Sequence, residues 1–166
     1  MNNRWLSVVG IGEDGLDGVS PRGRMLIDGA QVLIGGERHL SMIPDDGRAR
    51  LTWPTPLIDL MPEIAERRGT PVCVMATGDP MFFGVGVSLS RYFDVGEMNV
   101  VPSLSAFSLL ASRLGWPIAD VEQLTLHGRP SSVMVQFVRP GARLMILSNG
   151  TGTAAEISRI LNERGY

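Results

Sequence analysis

Short apolar runs and amphipathic stretches alternate along the chain, a rhythm that predicts β-α repeats. Leu6-Ser7-Val8-Val9 is apolar and β-branched and runs into glycines, as a buried strand does when it feeds a loop. Ser20-Pro21 reads as a helix start, serine at the N-cap and proline in the first turn, and the helix carries Met25, Leu26 and Ala30. Gln31 to Ile34 reads as a second strand closed by Gly35-Gly36, and Arg38 to Met42 as a short helix. Pro44 to Pro56 reads as loop, with a short strand at Leu51-Thr52-Trp53. Leu57 to Arg68 places Leu57, Leu60, Met61, Ile64 and Ala65 on one helical face, with Pro62 demanding a kink or a late start. Pro71 to Ala76 is the clearest strand, and its unbroken apolar run suits a central strand covered on both faces. A helix at Val85 to Tyr92, a strand at Met98 to Val101 and a helix at Ser105 to Leu114 continue the pattern. The fold expected is α/β, with a mostly parallel sheet flanked by helices.

Around Trp116 to Glu122 the composition turns Pro- and Asp-rich and the rhythm restarts. Strands are expected at Gln123 to Leu126 and Arg143 to Ser148. Thr153-Ala154-Ala155-Glu156 matches a capping box opening a last helix that runs to Arg164. A hinge near Ile118 is therefore expected, dividing a first lobe, 1–118, from the start of a second α/β lobe, 119–166, which by itself is incomplete.

Composition narrows the chemistry. The chain has 166 residues, 44% of them apolar, enough for a buried core. Its 15 basic residues are all arginines, so Schiff-base, pyridoxal-phosphate and Walker-type lysine chemistry is excluded. One cysteine, Cys73, excludes internal disulfides and Cys-rich metal sites, and two histidines, His39 and His127, argue against a histidine metal cluster; no metal is expected. A net charge of −2 argues against a nucleic-acid partner. No apolar stretch approaches the ~18 residues of a membrane helix. Met1 to Trp5 leads straight toward a strand without a signal-peptide core, and a cytoplasmic location is expected.

Four loops carry candidate chemistry. Gly10-Ile11-Gly12-Glu13-Asp14-Gly15 matches a dinucleotide fingerprint, with Glu37 about 20 residues on. Against an NAD(P)-binding oxidoreductase, the helix signal comes only at Ser20-Pro21, and Glu13, Asp14 and Asp17 would repel a pyrophosphate. A plain strand-to-helix loop without ligand explains the match equally well. Thr77-Gly78-Asp79-Pro80-Met81-Phe82-Phe83-Gly84 combines a glycine for close backbone approach, a carboxylate, a rigid proline and two aromatics able to exclude water. A turn with one phenylalanine plugging the core is the plainer reading. Pro102-Ser103-Leu104-Ser105-Ala106-Phe107 ends at a helix start that Ser105 can cap, and capping explains one serine but not two. His127-Gly128-Arg129-Pro130 ends a strand of the second lobe. His39 is read as a structural hydrogen-bonder, while His127, beside Gly and Arg at a strand end, has a better functional claim.

Together these loops resemble those of the tetrapyrrole methylase family, S-adenosylmethionine-dependent enzymes with two α/β lobes. The segments that carry the likeness are Val8 to Gly15, Ala76 to Gly84, Val101 to Phe107, Ala111 to Trp116 and Leu126 to Pro130, and it extends over essentially the whole sequence. It is greatest toward the branch that methylates carbon 5 of a precorrin in cobalamin biosynthesis. The resemblance implies S-adenosylmethionine in the cleft between lobes, on Gly78, Asp79, Pro80 and Phe83, with Ser103, Leu104, Ser105 and Ala106 around its methionine part and further contacts near His127, Leu147 and Asn149. It implies that Gly12, Gly15 and Arg129 border the tetrapyrrole substrate, with Asp14 and His127 as candidate bases. Since that substrate is a polycarboxylate, arginines should line its pocket, and Arg22, Arg24, Arg38 and Arg129 lie near the relevant loops. A homodimer is implied, as is a fused or partner domain for decarboxylating methylation at carbon 15. A third reading, an inactive assembly lobe, also stays open.

Overall fold

The computed structural model describes residues 4–166, so the Met1 to Asn3 part of the N-terminal reading lies outside the described residues. The chain forms two compact units, Met1–Ala106 and Phe107–Tyr166.

The first unit is a five-stranded parallel sheet in the order β3-β2-β4-β1-β5. The strands are β1 (Leu6–Ile11), β2 (Val32–Gly35), β3 (Ala49–Thr52), β4 (Val72–Thr77) and β5 (Met98–Val101). The continuously apolar run forms β4, the middle strand, and its side chains alternate between two cores. Val72, Val74 and Ala76 join one face with Leu6, Val8, Leu60, Ile64 and Leu89. Cys73 and Met75 join the other with Val9, Ile11, Ile27, Ala30 and Leu33. Alternation by one residue on a strand covered on both faces is the reason the sequence shows no polar positions there.

Right-handed crossovers decide which helix covers which face. The β1-to-β2 connection passes leftward over β4 and carries α1 (Pro21–Asp28), which sends Ile27 into the second core. The returns to β4 and β5 pass rightward. They carry α3 (Met61–Ala65) and α4 (Val85–Leu89), which supply Met61, Ile64 and Leu89 to the first core. A one-turn helix, α2 (Glu37–Leu40), follows β2 directly.

Several local expectations are corrected. Met25 is 70% exposed; the buried residues of α1 are Gly23 and Ile27, because the helix ends at Asp28 and turns that face to the sheet. The helix expected over Leu57 to Arg68 is a 3-10 turn, Leu57–Leu60, followed by α3. Proline tolerates the first turn of a helix but not its interior, so α3 starts late, with Pro62 at its beginning. Ser20 does cap α1, its Oγ accepting from the Gly23 N–H at 3.2 Å.

The second unit holds α5 (Ala106–Leu114) from its second residue on, and a parallel pair, β6 (Glu122–Thr125) and β7 (Leu144–Leu147). A seven-residue 3-10 run, Ser131–Phe137, and α6 (Thr153–Asn162) complete it. Its core gathers Leu124, Leu126 and Met134, with Ile157 and Leu161 of α6 packed against them. The capping box at Thr153 to Glu156 does not form. Gly152 occupies the cap, and the Glu156 carboxylate instead accepts from Ser131 Oγ at 2.7 Å, tying α6 to the 3-10 run. Among the described residues no helix is long and apolar enough to cross a membrane.

Candidate functional site

In an open parallel sheet, ligands bind beyond the carboxyl ends of the strands, where neighbouring strands send their connections to opposite faces. Here that condition falls between β4 and β1, and β5 lies on the other side of β1. The three glycine- and serine-bearing loops, far apart in sequence, therefore share one edge.

Their backbones are joined directly. The Gly78 N–H donates to the Ile11 carbonyl at 2.8 Å, and the Ser103 N–H donates to the Gly78 carbonyl at 3.2 Å. Gly10 is what allows this: a Cβ there would lie 1.9 Å from the Gly78 carbonyl oxygen and 2.7 Å from the Ser103 nitrogen. A Cβ on Gly12 would stand 3.0 Å from Ser103 Oγ. Gly78 has φ of +59°, and its own Cβ would meet the Leu104 carbonyl oxygen at 3.1 Å. The strand tips thus form one close-packed junction.

The turn Gly12 to Gly15 closes on itself, the Gly15 N–H donating to the Gly12 carbonyl at 3.3 Å with Gly15 at φ +59°. It is followed by Leu16 to Val19 before α1 begins at Pro21, so the third glycine stands outside the helix. Asp14 is exposed on this turn.

Asp79 is half-buried and shapes the β4 loop: its Oδ1 accepts from the Met81 N–H at 2.8 Å, and its Oδ2 has no partner among the described residues. Pro80 is buried, and its carbonyl would lie 2.7 Å from a Cβ on either Gly84 or Gly86. Phe83 is held at φ +57°, a region that costs a side-chain-bearing residue about 1–3 kcal/mol. It is 42% exposed and stacks on Phe82 with ring centroids 4.9 Å apart, so neither ring simply plugs the core. Leu104, at the β5 tip, is 62% exposed, while Ser105 is buried. Strain and exposed apolar surface meet at one sheet edge.

His39, expected from the sequence to be a structural hydrogen-bonder, is buried with Nε2 3.3 Å from Thr77 Oγ1. Burial, aided by the neighbouring Arg38 charge, holds its pKa below the usual 6.5. Sequence reasoning misses this pairing between α2 and β4, and it also misses that Gly10 sets the junction; only the G-x-G spacing hints at the second. Cys73 is buried, and desolvation pushes its thiol up to about 12, which removes it as a nucleophile at neutral pH.

In the second unit, the carboxyl ends of β6 and β7 are likewise adjacent. The Leu126 N–H donates to the Leu147 carbonyl at 2.9 Å. The Gly128 N–H donates to Asn149 Oδ1 at 3.4 Å, so His127, Leu147 and Asn149 gather at one edge. Here Thr153 Oγ1 accepts from the Asn149 N–H at 3.1 Å, the role it takes in place of a cap. His127 and Arg129 are exposed.

Residues 6–166 match the model of the Tetrapyrrole (Corrin/Porphyrin) Methylases. The chain is 41% identical over 164 residues to the precorrin-6Y C(5,15)-methyltransferase (decarboxylating) of Sinorhizobium sp, covering 98% of this chain and 40% of that protein. It is 32% identical over 160 residues to the cobalt-precorrin-7 C(5)-methyltransferase of Salmonella typhimurium, covering 96% and 79%. The chain thus spans about two-fifths of the first relative's length and about four-fifths of the second's. A solved structure, the uroporphyrin-III C-methyl transferase of Thermus thermophilus complexed with S-adenosylhomocysteine, shares the fold with a TM-score of 0.70 at 21% identity, covering 97% of this chain and 72% of that one.

Proposed function

The chain belongs to the tetrapyrrole (corrin/porphyrin) methylase family, and on that footing we propose that it is a precorrin C-methyltransferase of cobalamin biosynthesis, S-adenosylmethionine-dependent and acting at carbon 5. Both relatives bear a carbon-5 activity in their names. The observation that carries the reading is the junction of the β1, β4 and β5 tips around Gly10, Gly78 and Ser103.

The residues at this edge suit a sulfonium donor. Asp79 Oδ2, with no partner among the described residues, can accept from a ribose hydroxyl or an ammonium group. Phe83 and Leu104 offer exposed apolar surface that a bound adenosine would cover. Gly78, Pro80 and Ser103 to Ala106 supply the close backbone. When bound, the donor supplies an electrophilic methyl group. The protein's task is then alignment and exclusion of water, with no nucleophile of its own. A chain without lysine and with its one cysteine buried fits that division of labour.

Calorimetry with S-adenosylhomocysteine tests the site. Asp79→Ala is expected to weaken binding by about 1.5–3 kcal/mol, the cost of a charge-assisted hydrogen bond. Asp79→Asn keeps an acceptor for the Met81 turn while removing the charge, and separates binding from loop shape. Unchanged affinity in both variants removes Asp79 from the site. Failure of the wild-type chain to bind S-adenosylhomocysteine, with NADH bound instead, overturns the methyltransferase reading.

A further inference from the structure

Charge is unevenly laid along the carboxyl edge of the first unit. The segments 12–20, 78–84 and 102–105, which follow β1, β4 and β5, contain Glu13, Asp14, Asp17 and Asp79 and no arginine. A cationic donor is welcome there, but a polycarboxylate is not: its acidic groups would face carboxylates across the same edge. Such a substrate needs a cation on this edge that is not already engaged.

The arginines near the edge differ in this respect. Arg24 reaches Asp28 at 3.8 Å, and Arg22 donates toward Asn99 Oδ1 at 3.5 Å. Arg50 is spent on the carbonyls of Leu40 and Ile43, at 3.2 and 3.0 Å. Arg38 is exposed and makes no ion pair or side-chain hydrogen bond among the described residues. Its neighbour Glu37 lies one position away on a helical turn, and adjacent helical residues do not face each other.

Arg38 is also well anchored. It sits on α2, which follows β2 directly, and β2 is the neighbour of β4. On one side His39 ties α2 to Thr77, the residue before Gly78, at 3.3 Å. On the other, Arg50 gathers the carbonyls at the end of α2. Gly35 permits the close fit, since a Cβ there would lie 3.3 Å from that of His39. The Arg38 backbone is thus held on a fixed support beside the donor loop, so engaging a ligand costs side-chain rotamer freedom but no ordering of the backbone.

We propose that Arg38 is a specificity-determining residue, which takes a peripheral carboxylate of an acidic macrocyclic substrate through forked hydrogen bonds and turns the substrate's acidic rim away from the anionic β1 and β4 tips. The substrate class rests on the methyltransferase reading above; the placement of the cation does not.

The test titrates two ligands separately into the full chain: uroporphyrin III, a tetrapyrrole with free peripheral carboxylates, followed by fluorescence, and S-adenosylhomocysteine, followed by calorimetry. Arg38→Ala is expected to weaken uroporphyrin binding about tenfold or more and to leave S-adenosylhomocysteine affinity unchanged. Arg38→Lys should recover only part of the loss, and Arg159→Ala, which removes an exposed arginine paired with Glu163 in the second unit, should match the wild type. Equal uroporphyrin affinity in the wild type and Arg38→Ala overturns the proposal, as does no binding of uroporphyrin by the wild type. Loss of the donor ligand alone, with the Arg38 dependence intact, counts against the methyltransferase reading and leaves Arg38 as the carboxylate site.

Discussion

The first unit places β4 between two cores, Val72 and Val74 on one side and Cys73 and Met75 on the other. The second also builds on parallel strands, but it has two of them among the described residues, and their shared core centres on Leu124, Leu126 and Met134. Parallel strands are stable when both faces are covered, and the first unit meets that demand along all of β4 up to Thr77. In the second unit β7 has one buried residue, Met145, and β6 has two, Leu124 and Thr125. The strand tips differ in the same way. Those of the first unit interlock backbone against backbone around Gly10, while those of the second share one backbone bond, Leu126 to Leu147, and beyond it are linked through a side chain, Asn149. A sheet sealed on both faces can hold a strained, close-packed rim; a two-stranded one relies on longer polar links.

The largest effect should come from breaking the interlocked rim. Gly10→Ala forces a methyl group into the Gly78 carbonyl and should cost about 3 kcal/mol or more, read as a lower urea midpoint. A mild loss there would mean that the junction gives way easily, and the contrast between the two rims would fade. Next comes the capping of helices. Ser20→Ala removes the acceptor for the Gly23 N–H and should cost about 1 kcal/mol in the same measurement.

A smaller effect is expected with pH. His39 has its folded pKa below 6.5, so on acidification the unfolded chain takes up the proton first. Its contribution is therefore fully present above pH 6.5 and is lost as pH falls from there through the folded value. His39→Gln should lose less stability than the wild type between pH 8 and pH 5; parallel curves would show that His39 does not titrate as its burial requires. The smallest effect belongs to Gly150→Ala in the second unit. A Cβ there meets open space, and the change should stay within about 0.5 kcal/mol. A large cost would mean that the second rim is as tightly built as the first.

Much of the candidate site is legible in the sequence. The Gly78-Asp79-Pro80 loop, the Ser103 to Ala106 loop and the His127 strand end stand out because strand ends and glycines leave local marks. What escapes is the company these residues keep. Nothing local to Gly10 says that it meets Gly78 and Ser103, and nothing in His39 says that it meets Thr77. The capping box at Thr153 fails for a related reason: Ser131, distant in sequence, competes for Glu156.

By itself, then, the order of residues determined the alternation of strands and helices, the centrality of Val72 to Ala76 and the loops that bear chemistry, because hydrophobic period and turn residues act over a few neighbours. Only the tertiary structure decided that β1 lies between β4 and β5, that Arg38 stays unpaired among the described residues while Arg24 and Arg50 do not, and that three distant loops share one rim. Those outcomes depend on strand pairing and packing between segments tens of residues apart, where many arrangements satisfy the same local pattern and close fit selects one.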